Sequence, residues 1–327
     1  MKRKRSGLPV GFSFARACAL GFAIFRTTAA LGQTLYGFGP FPGSNDIFMY
    51  TIEPSTGVFT PIADAGDTPL NPADLDAVGR RLFHVKDPNL YTLDLRSGAN
   101  SFLPTFNVVE AMAYDRGRDI LYELSRNASQ LTIFSVQPGI PNGFEVAYLG
   151  APDHVLSTTL DHGRGRLFFL TSAAATTLYQ VDLDTGAFSS VPTATLAAFS
   201  SAFLFFDSTE ATLYAVARRA GDTEFSLLTI DTDTGDFTTR ATLGPSVYSA
   251  ALDTSGRRLF FTAPSSLFTL DLGTNALSSV PIARCCPTLF VAPALASAAV
   301  PALGSSFALL LVGLLAACGW TVLSGRV

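Results

Sequence analysis

The sequence predicts an all-β fold, a six-bladed β-propeller closed by both ends of the chain. Three observations support this prediction. One motif recurs along the chain at a spacing of about 40–50 residues, each copy reads as four short strands, and partial copies lie at the two ends. Such repeats are typical of a propeller, because one four-stranded blade cannot bury both of its faces alone. Seven blades are the alternative if a long connection contains a degenerate copy.

Each copy begins with an aspartate that ends one apolar run and opens a turn before the next. These anchor aspartates are Asp76, Asp115, Asp161, Asp207 and Asp253, which by subtraction lie 39, 46, 46 and 46 residues apart. A second turn follows each anchor, in the segments 90–98, 131–139, 178–186, 227–235 and 267–275, and a further copy lies at 48–57. Aspartate can cap its own turn, and glycine tolerates the left-handed position that closes a short hairpin.

The two ends of the repeat region together supply one more blade. Five complete copies run from about residue 73 to 282. Before them, residues 35–39, 47–52 and 58–63 read as strands, and residues 288–292 read as one strand after them. Three strands and one strand complete a sixth blade, and sharing it between the termini closes the ring and hides its edges.

The units resemble the YVTN/NHL-type propeller repeats of bacteria, with some likeness to YWTD repeats. Two segments carry the resemblance, Asp-Thr-Ser-Gly-Arg-Arg-Leu-Phe-Phe at 253–261 and Leu-Tyr-Gln-Val-Asp-Leu-Asp-Thr-Gly at 178–186. The resemblance spans roughly residues 35–292 and implies the fold. It implies little about activity, because propellers carry many unrelated functions.

The composition argues against one class of partner. The 327 residues carry a formal net charge of −4, whereas a general nucleic-acid binder needs a basic face. Charged residues make up only 15% of the chain and hydrophobic residues 48%, which fits a β-rich body with apolar ends.

The N-terminus predicts export. A basic head, Lys2 to Arg5, precedes an apolar stretch around 17–25 and the small residues 29–32. This order is that of a secretory signal peptide covering residues 1–32, with cleavage after Gly32. An uncleaved anchor is the alternative, although Arg16 and Arg26 bracket a run too short to span a membrane.

The C-terminus predicts a membrane segment. An uncharged run at 307–323 within residues 303–327 is followed by Arg326, which would stay cytoplasmic while the propeller faces outward. The tail resembles the IPTL-CTERM and PEP-CTERM sorting signals of bacteria, with Val300, Pro301, Ala302 and Leu303 in the motif position after a linker that starts at residue 293. The resemblance implies a sortase-like protease that processes the protein. A plain anchor in the inner membrane is the alternative, and either implies the cell envelope or surface.

Candidate binding residues come from the connections between blades, which line one face of a propeller near its channel. They are Glu110, Asp153, His154, Tyr248 and Arg284. Polar loop residues without a ligand are the alternative for each. Of the four cysteines, the adjacent Cys285 and Cys286 lie in the body and form either a strained vicinal disulfide or two thiols.

No catalytic constellation stands out, and no cofactor or metal site is predicted. The chain has neither a phosphate-binding glycine loop nor a Gly-x-Ser-x-Gly motif. The run Asp231–Asp236 suggests a calcium loop, but Thr242 stands where an EF-hand needs a carboxylate, so a structural turn is favoured. Folding could gather Asp46, Asp74, Glu110 and Asp153 in the channel, as in propeller hydrolases; the spacing leaves this open.

Three functional hypotheses follow. The first is an exported, surface-anchored propeller that binds a protein or glycan through its loop face. The second is a metal-dependent hydrolase or lactonase-like enzyme in the periplasm or at the surface. The third is a purely structural component of the surface or matrix. The sequence does not decide whether the protein is an enzyme, although the absence of a catalytic motif favours binding.

Overall fold

Each complete copy of the repeat forms one antiparallel sheet of four strands, which is one blade. The computed structural model of the protein describes residues 34–40, 47–66, 72–86, 89–104, 108–127, 130–140, 143–150, 154–172, 175–197, 202–219, 221–282 and 288–292. This part of the chain contains six such sheets and no helix, so six blades are confirmed and seven are excluded. None of the described segments is therefore a helix that could cross a membrane. The predicted signal peptide, linker, sorting motif and membrane segment lie outside the described residues.

The strands follow one another in chain order and group into blades in the same order. They are β1 Leu35–Pro40, β2 Ile47–Glu53, β3 Val58–Gly66, β4 Ala73–Asp76, β5 Arg81–Lys86, β6 Asn89–Asp94, β7 Asn100–Pro104, β8 Val108–Asp115, β9 Ile120–Asn127, β10 Gln130–Val136, β11 Phe144–Tyr148, β12 His154–Asp161, β13 Arg166–Ser172, β14 Ala175–Asp182, β15 Phe188–Ala197, β16 Ala202–Asp207, β17 Thr212–Ala217, β18 Phe225–Ile230, β19 Phe237–Gly244, β20 Ser249–Asp253, β21 Arg258–Ala263, β22 Ser266–Asp271, β23 Leu277–Pro281 and β24 Thr288–Val291. Blade 1 contains β4–β7, blade 2 β8–β11, blade 3 β12–β15, blade 4 β16–β19, and blade 5 β20–β23.

Blade 6 joins the two ends of the chain, as predicted. Its strand order is β24-β1-β2-β3, with Leu35 opposite Val291 and Phe38 opposite Thr288. The Ala292 amide extends the pairing by donating to the Thr34 carbonyl at 3.0 Å. The first strands of blades 1 to 5 contact each other around the axis, and β24 contacts β20 in the same way. The last strand of the propeller is therefore the inner strand of the blade that closes it.

The apolar core is divided among the interfaces between blades. The described residues form six buried apolar clusters, and each of them joins two adjacent blades. The cluster between blades 6 and 1, for example, combines Phe38 and Met49 with Leu82 and Leu93. Each blade is thus stabilised mainly by its neighbours, because its two faces are apolar and a single sheet cannot cover both.

The anchor aspartates form the turn between the first and second strand of each blade. All five are at most 3% exposed, and each accepts a backbone amide of its own turn. In every copy the fourth residue after the anchor has a positive φ, between 50° and 62°; these residues are Arg80, Asp119, Gly165, Ala211 and Arg257. The sequence signal therefore reports a real buried hydrogen-bonded cap, repeated five times.

The second turn places a glycine where the backbone is left-handed in blades 1 to 4, and Asn275 takes this position in blade 5. Gly186 has a φ of +71°, and its amide donates to the Asp182 carbonyl at 2.8 Å. A Cβ at this position would also collide with the Val146 carbonyl oxygen of the preceding blade. This glycine therefore serves both the turn and the close approach of two blades.

We expect loss of a buried anchor to cost more stability than loss of its exposed counterpart in the same blade. Asp207 is 1% exposed and accepts the amides of Thr209 at 2.9 Å and Glu210 at 3.3 Å. Asp207→Ala leaves both amides without this acceptor and should lower the free energy of unfolding by about 2 kcal/mol. Chemical denaturation of the variant against the parent protein measures this loss.

The matched control is Asp231→Ala. Exposed Asp231 accepts the amides of Asp233 and Thr234, both at 2.9 Å, but water can replace it. Its removal should cost clearly less than removal of Asp207. Equal losses would show that burial of the anchor does not decide its importance.

Candidate functional site

A cavity of about 680 Å³ runs along the axis of the propeller. Its wall contains residues from the inner strand of all six blades, including Asp74, Tyr114, Ser157, Phe205 and Phe290. At one end it is bordered by the turns that follow the anchor aspartates, and this end is the hairpin-turn face. The inner strands all run towards that face, so their first residues and the connections between blades lie on the opposite face, the connection face.

Side-chain oxygens link neighbouring inner strands around part of this cavity. The Tyr114 amide of blade 2 donates to Asp74 Oδ2 of blade 1 at 2.7 Å. The Phe206 amide of blade 4 donates to Thr159 Oγ1 of blade 3 at 3.2 Å. Asp74 and Thr159 both stand two residues before an anchor, so one repeat position serves the same purpose in two blades. These contacts satisfy amides on the open edge of an inner strand.

The environment of Asp74 disfavours its charge. Burial raises the pKa of Asp74 to about 6, and the amide hydrogen bonds from Tyr114 and Leu75 and the nearby Arg116 only partly oppose it. Arg116 lines the same cavity on the hairpin-turn face, where its Nε lies 3.8 Å from Asp76 Oδ1 of blade 1. The cavity thus holds one carboxyl group and one guanidinium group in its wall.

A hydrogen-bonded cluster on the connection face joins blades 2 and 3. Glu110 Oε1 lies 2.5 Å from Arg126 Nε and 2.9 Å from His154 Nδ1, and Glu110 Oε2 accepts the Val155 amide at 2.9 Å. Glu110 and Arg126 are largely buried, with side chains 10% and 16% exposed, whereas the His154 side chain is 81% exposed. Two of the predicted binding residues, Glu110 and His154, are therefore in direct contact.

A bulge in β8 directs Glu110 towards blade 3. The pairing of β8 with β9 shifts between Val109 and Ala111, so Glu110 has no partner in that ladder, and Leu156 occupies the corresponding bulge in β12. Burial opposes the charge of Glu110, but the hydrogen bonds from Arg126, Val155 and His154 outweigh it and hold the pKa of Glu110 below its ordinary value. Glu110 is therefore a carboxylate at neutral pH.

Of the other three predicted binding residues, the structure describes only Tyr248. The side chain of Tyr248 is largely exposed on the connection face just before β20. Asp153 and Arg284 lie outside the described residues, as do Cys285, Cys286 and Asp46. The structure therefore brings together two members of the predicted set and leaves the grouping of the remaining ones as a prediction.

No metal site is visible in the described part of the chain, where no group of three His, Cys, Asp or Glu side chains is placed to hold an ion. The acidic run at 231–236 forms a turn in which Asp231 Oδ1 accepts two backbone amides. This geometry agrees with the structural interpretation of that run.

Two buried polar residues were not identified from the sequence. His84 in blade 1 is fully buried and Glu123 in blade 2 is 4% exposed. Neither nitrogen of His84 nor Oε1 of Glu123 has a hydrogen-bond partner among the described residues. Burial lowers the pKa of His84 to about 4 and raises the pKa of Glu123 to about 7.

Alignment of the copies on their anchors would have found both residues. They stand eight residues after Asp76 and Asp115, where the other complete copies have Phe169, Ala215 and Phe261. His84 stacks on Tyr91 with ring centres 5.2 Å apart, as Phe169 stacks on Tyr179 at 4.8 Å. Each polar residue thus replaces an apolar residue in an otherwise apolar interface between blades.

Glu110 and Glu123 lie in the same blade, and we expect opposite pH dependence from them. The pKa of Glu123 is raised from 4.5 to about 7 in the folded protein, so stability falls as the pH rises through that range. One unit of pKa shift corresponds to about 1.4 kcal/mol. The Glu123→Gln substitution should therefore raise the free energy of unfolding by on the order of 3 kcal/mol at pH 8 and leave it unchanged near pH 4. Unfolding by denaturant between pH 4 and 8 measures the difference.

Glu110→Gln is the matched variant with the opposite sign. Because the pKa of Glu110 is lowered on folding, its stabilising effect is present at neutral pH and is lost as the pH falls through the folded pKa. The variant should be about 1–3 kcal/mol less stable than the parent at pH 7, and the gap should shrink below pH 4. Parallel pH profiles for the two variants would contradict the assigned environments.

Known structures share this architecture at low sequence identity. No protein-family model and no curated protein matches the sequence. TolB from Acinetobacter baumannii has a TM-score of 0.64 at 11% identity, covering 85% of this chain and 71% of that chain. A chain of the nidogen/laminin complex has a TM-score of 0.63 at 13% identity, and the match covers 80% of this chain and 99% of that chain. A proposed 6-phosphogluconolactonase from Bacteroides uniformis has a TM-score of 0.54 at 12% identity, and the match covers 80% of this chain and 99% of that chain. At these identities the similarity shows the propeller fold alone.

Proposed function

We propose that this protein is an exported binding module that holds a protein or glycan partner on its connection face. The observation that carries the proposal is the cluster of Glu110, Arg126 and His154. Buried Glu110 fixes Nδ1 of an imidazole that is otherwise exposed to solvent. A polar side chain that is oriented before a partner arrives loses little conformational entropy on binding.

The connection face also carries exposed apolar side chains from other blades. Val108, at the start of β8 in blade 2, is 70% exposed, and Tyr248, just before β20 in blade 5, is 49% exposed. Exposed tyrosine is enriched in binding surfaces, so this face suits recognition of a partner. The chain from the nidogen/laminin complex offers a parallel, since a protein of this architecture occurs there in a complex between proteins.

The test replaces His154 and Tyr248 by alanine, singly and together, in the full chain. Each single variant should weaken partner capture, and the double variant should reduce it by about tenfold or more, because aromatic and oriented polar side chains carry much of the binding energy. Capture is measured with immobilised protein against cell-envelope extracts and against a glycan array.

His162→Ala is the matched control. His162 is also an exposed histidine beside a carboxylate, with its Nδ1 3.6 Å from Asp115 Oδ1, but it lies on the hairpin-turn face. Its loss should leave capture unchanged. An equal effect of the His154 and His162 variants would place the partner elsewhere and overturn the proposal.

The location of the protein at the cell envelope is part of the same proposal. Support comes from the sequence of the two ends: a signal peptide at 1–32, and the motif Val300 to Leu303 followed by an apolar segment at 303–327. A sortase-like protease would recognise the motif after the propeller has crossed the membrane. Mass spectrometry of the mature protein should find Gln33 as the first residue and a C-terminus near the motif. A mature chain that ends at Val327 would instead support a plain membrane anchor.

A hydrolase is the second candidate, and the pairing of Glu110 with His154 favours it. In the neutral form of the imidazole, a carboxylate that accepts the Nδ1 proton selects the tautomer with a lone pair on Nε2, which a general base requires. The fold shared with the proposed 6-phosphogluconolactonase agrees with a lactone as substrate. Metal analysis of the purified protein discriminates between the candidates: a stoichiometric divalent ion would favour the metal-dependent enzyme, and a metal-free protein would favour the binding module.

A further inference from the structure

The axial cavity has a polar side and an apolar side. Blades 1 to 3 contribute most of the polar side chains of its wall, among them Asp74, Ser157 and Thr159, together with apolar residues such as Met112. Blades 4 to 6 contribute mainly apolar side chains, several of them aromatic, and their polar lining residues Ser208 and Thr254 lie in the hairpin turns: the apolar set is Phe203, Phe205, Leu252, Phe290 and Val291. A cavity of this kind fits a ligand that has hydrogen-bonding groups on one side and an apolar surface on the other.

The polar side keeps hydrogen-bonding capacity for a ligand. Ser157 Oγ and Thr159 Oγ1 accept the amides of Leu204 and Phe206, and neither hydroxyl donates to any described residue. Asp74 accepts one backbone amide on each oxygen, so each oxygen has a lone pair left. Two hydroxyl donors and one carboxyl acceptor therefore line the same wall.

The apolar side offers aromatic surface. Phe203 and Phe205 of β16 are only half-buried, although they pack against the cluster between blades 4 and 5, and both line the cavity. Phe290 of β24 is half-buried in the same way and lies in the wall from blade 6. Aromatic rings with an uncovered part can accept the C–H face of a flat ligand.

Charge and size narrow the choice of ligand. Besides His162, whose pKa is lowered by burial, the wall carries one acidic and one basic side chain, Asp74 and Arg116, whose charges oppose each other. A ligand with a net charge would therefore gain attraction from one and repulsion from the other. The volume of about 680 Å³ is within the range of sites for small molecules.

We propose that this cavity is a second binding site, separate from the connection face, and that its ligand is a neutral saccharide ring. The hydroxyl groups of the sugar bind to Ser157, Thr159 and Asp74, and its apolar face packs on Phe205. The proposal does not depend on the partner of the connection face, because it rests on different residues.

The experiment uses the full chain in detergent with glucose and maltose as probes. Saturation-transfer NMR should show both sugars bound, with the strongest transfer to the C–H protons that face the aromatic side. Phe205→Leu keeps the apolar volume but removes the ring, and Asp74→Asn keeps an acceptor but removes the charge. Each variant should weaken binding by about tenfold, measured by titration calorimetry.

Three comparisons make the result decisive. Glucuronic acid and glucosamine, which carry a charge, should bind more weakly than glucose. His154→Ala should leave sugar binding unchanged, which separates this site from the connection face. The proposal would be overturned by absence of binding at millimolar sugar or by preference for a charged analogue. It would also be overturned if the Phe205→Leu and Asp74→Asn variants bound sugar with the affinity of the parent protein. Unfolding curves of these variants show whether a loss of binding reflects a loss of folding.

Discussion

The structure depends on the burial of each blade by its two neighbours. Every apolar cluster of the described residues spans two blades, so no blade has a core of its own, and the ring must close for the first and last blades to be covered. A short strand closes the ring: Thr288–Val291 pairs with Leu35–Phe38 and supplies the inner edge of blade 6. The cost of bringing together ends of the chain about 250 residues apart grows only slowly with that length, whereas the apolar area gained is that of two whole interfaces.

Within this ring, departures from the repeat carry more information than the repeat itself. The anchors, the leucines six residues after them and the second turns serve every blade alike and therefore reveal the fold. Glu110 occupies a bulge where the next blade has Leu156, and it gathers Arg126 and His154 instead of packing. Glu123 and His84 occupy an otherwise apolar position and remain buried without a partner for part of their polar atoms. All three belong to blade 1 or blade 2, so the polar exceptions are concentrated in one part of the ring.

The two proposed sites use opposite parts of the same architecture. The connection face presents the ends of inner strands, where an exposed histidine is held by a buried ion pair. The axial cavity presents the sides of the same strands, where hydroxyl groups that cap a neighbouring strand keep their own hydrogen for a ligand. In both, a group that joins two blades also holds or forms part of the surface offered to a ligand. Stability and recognition are therefore coupled through residues such as Glu110 and Asp74.

The sequence by itself determined the six blades, the strands at 35–39, 47–52, 58–63 and 288–292 to within a few residues, and the closure by both termini. These features follow from local rules, the alternation of apolar residues and the chemistry of turns, which act over a few neighbouring residues. Only the tertiary structure decided that Glu110 meets Arg126 and His154, that Asp74 caps an amide of the next blade, and that Glu123 is enclosed without a partner for one of its oxygens. Those contacts join residues up to 44 positions apart, and they depend on bulges and on the direction in which a side chain leaves its strand. Sequence spacing records neither, although alignment of the repeats marks the positions where they occur.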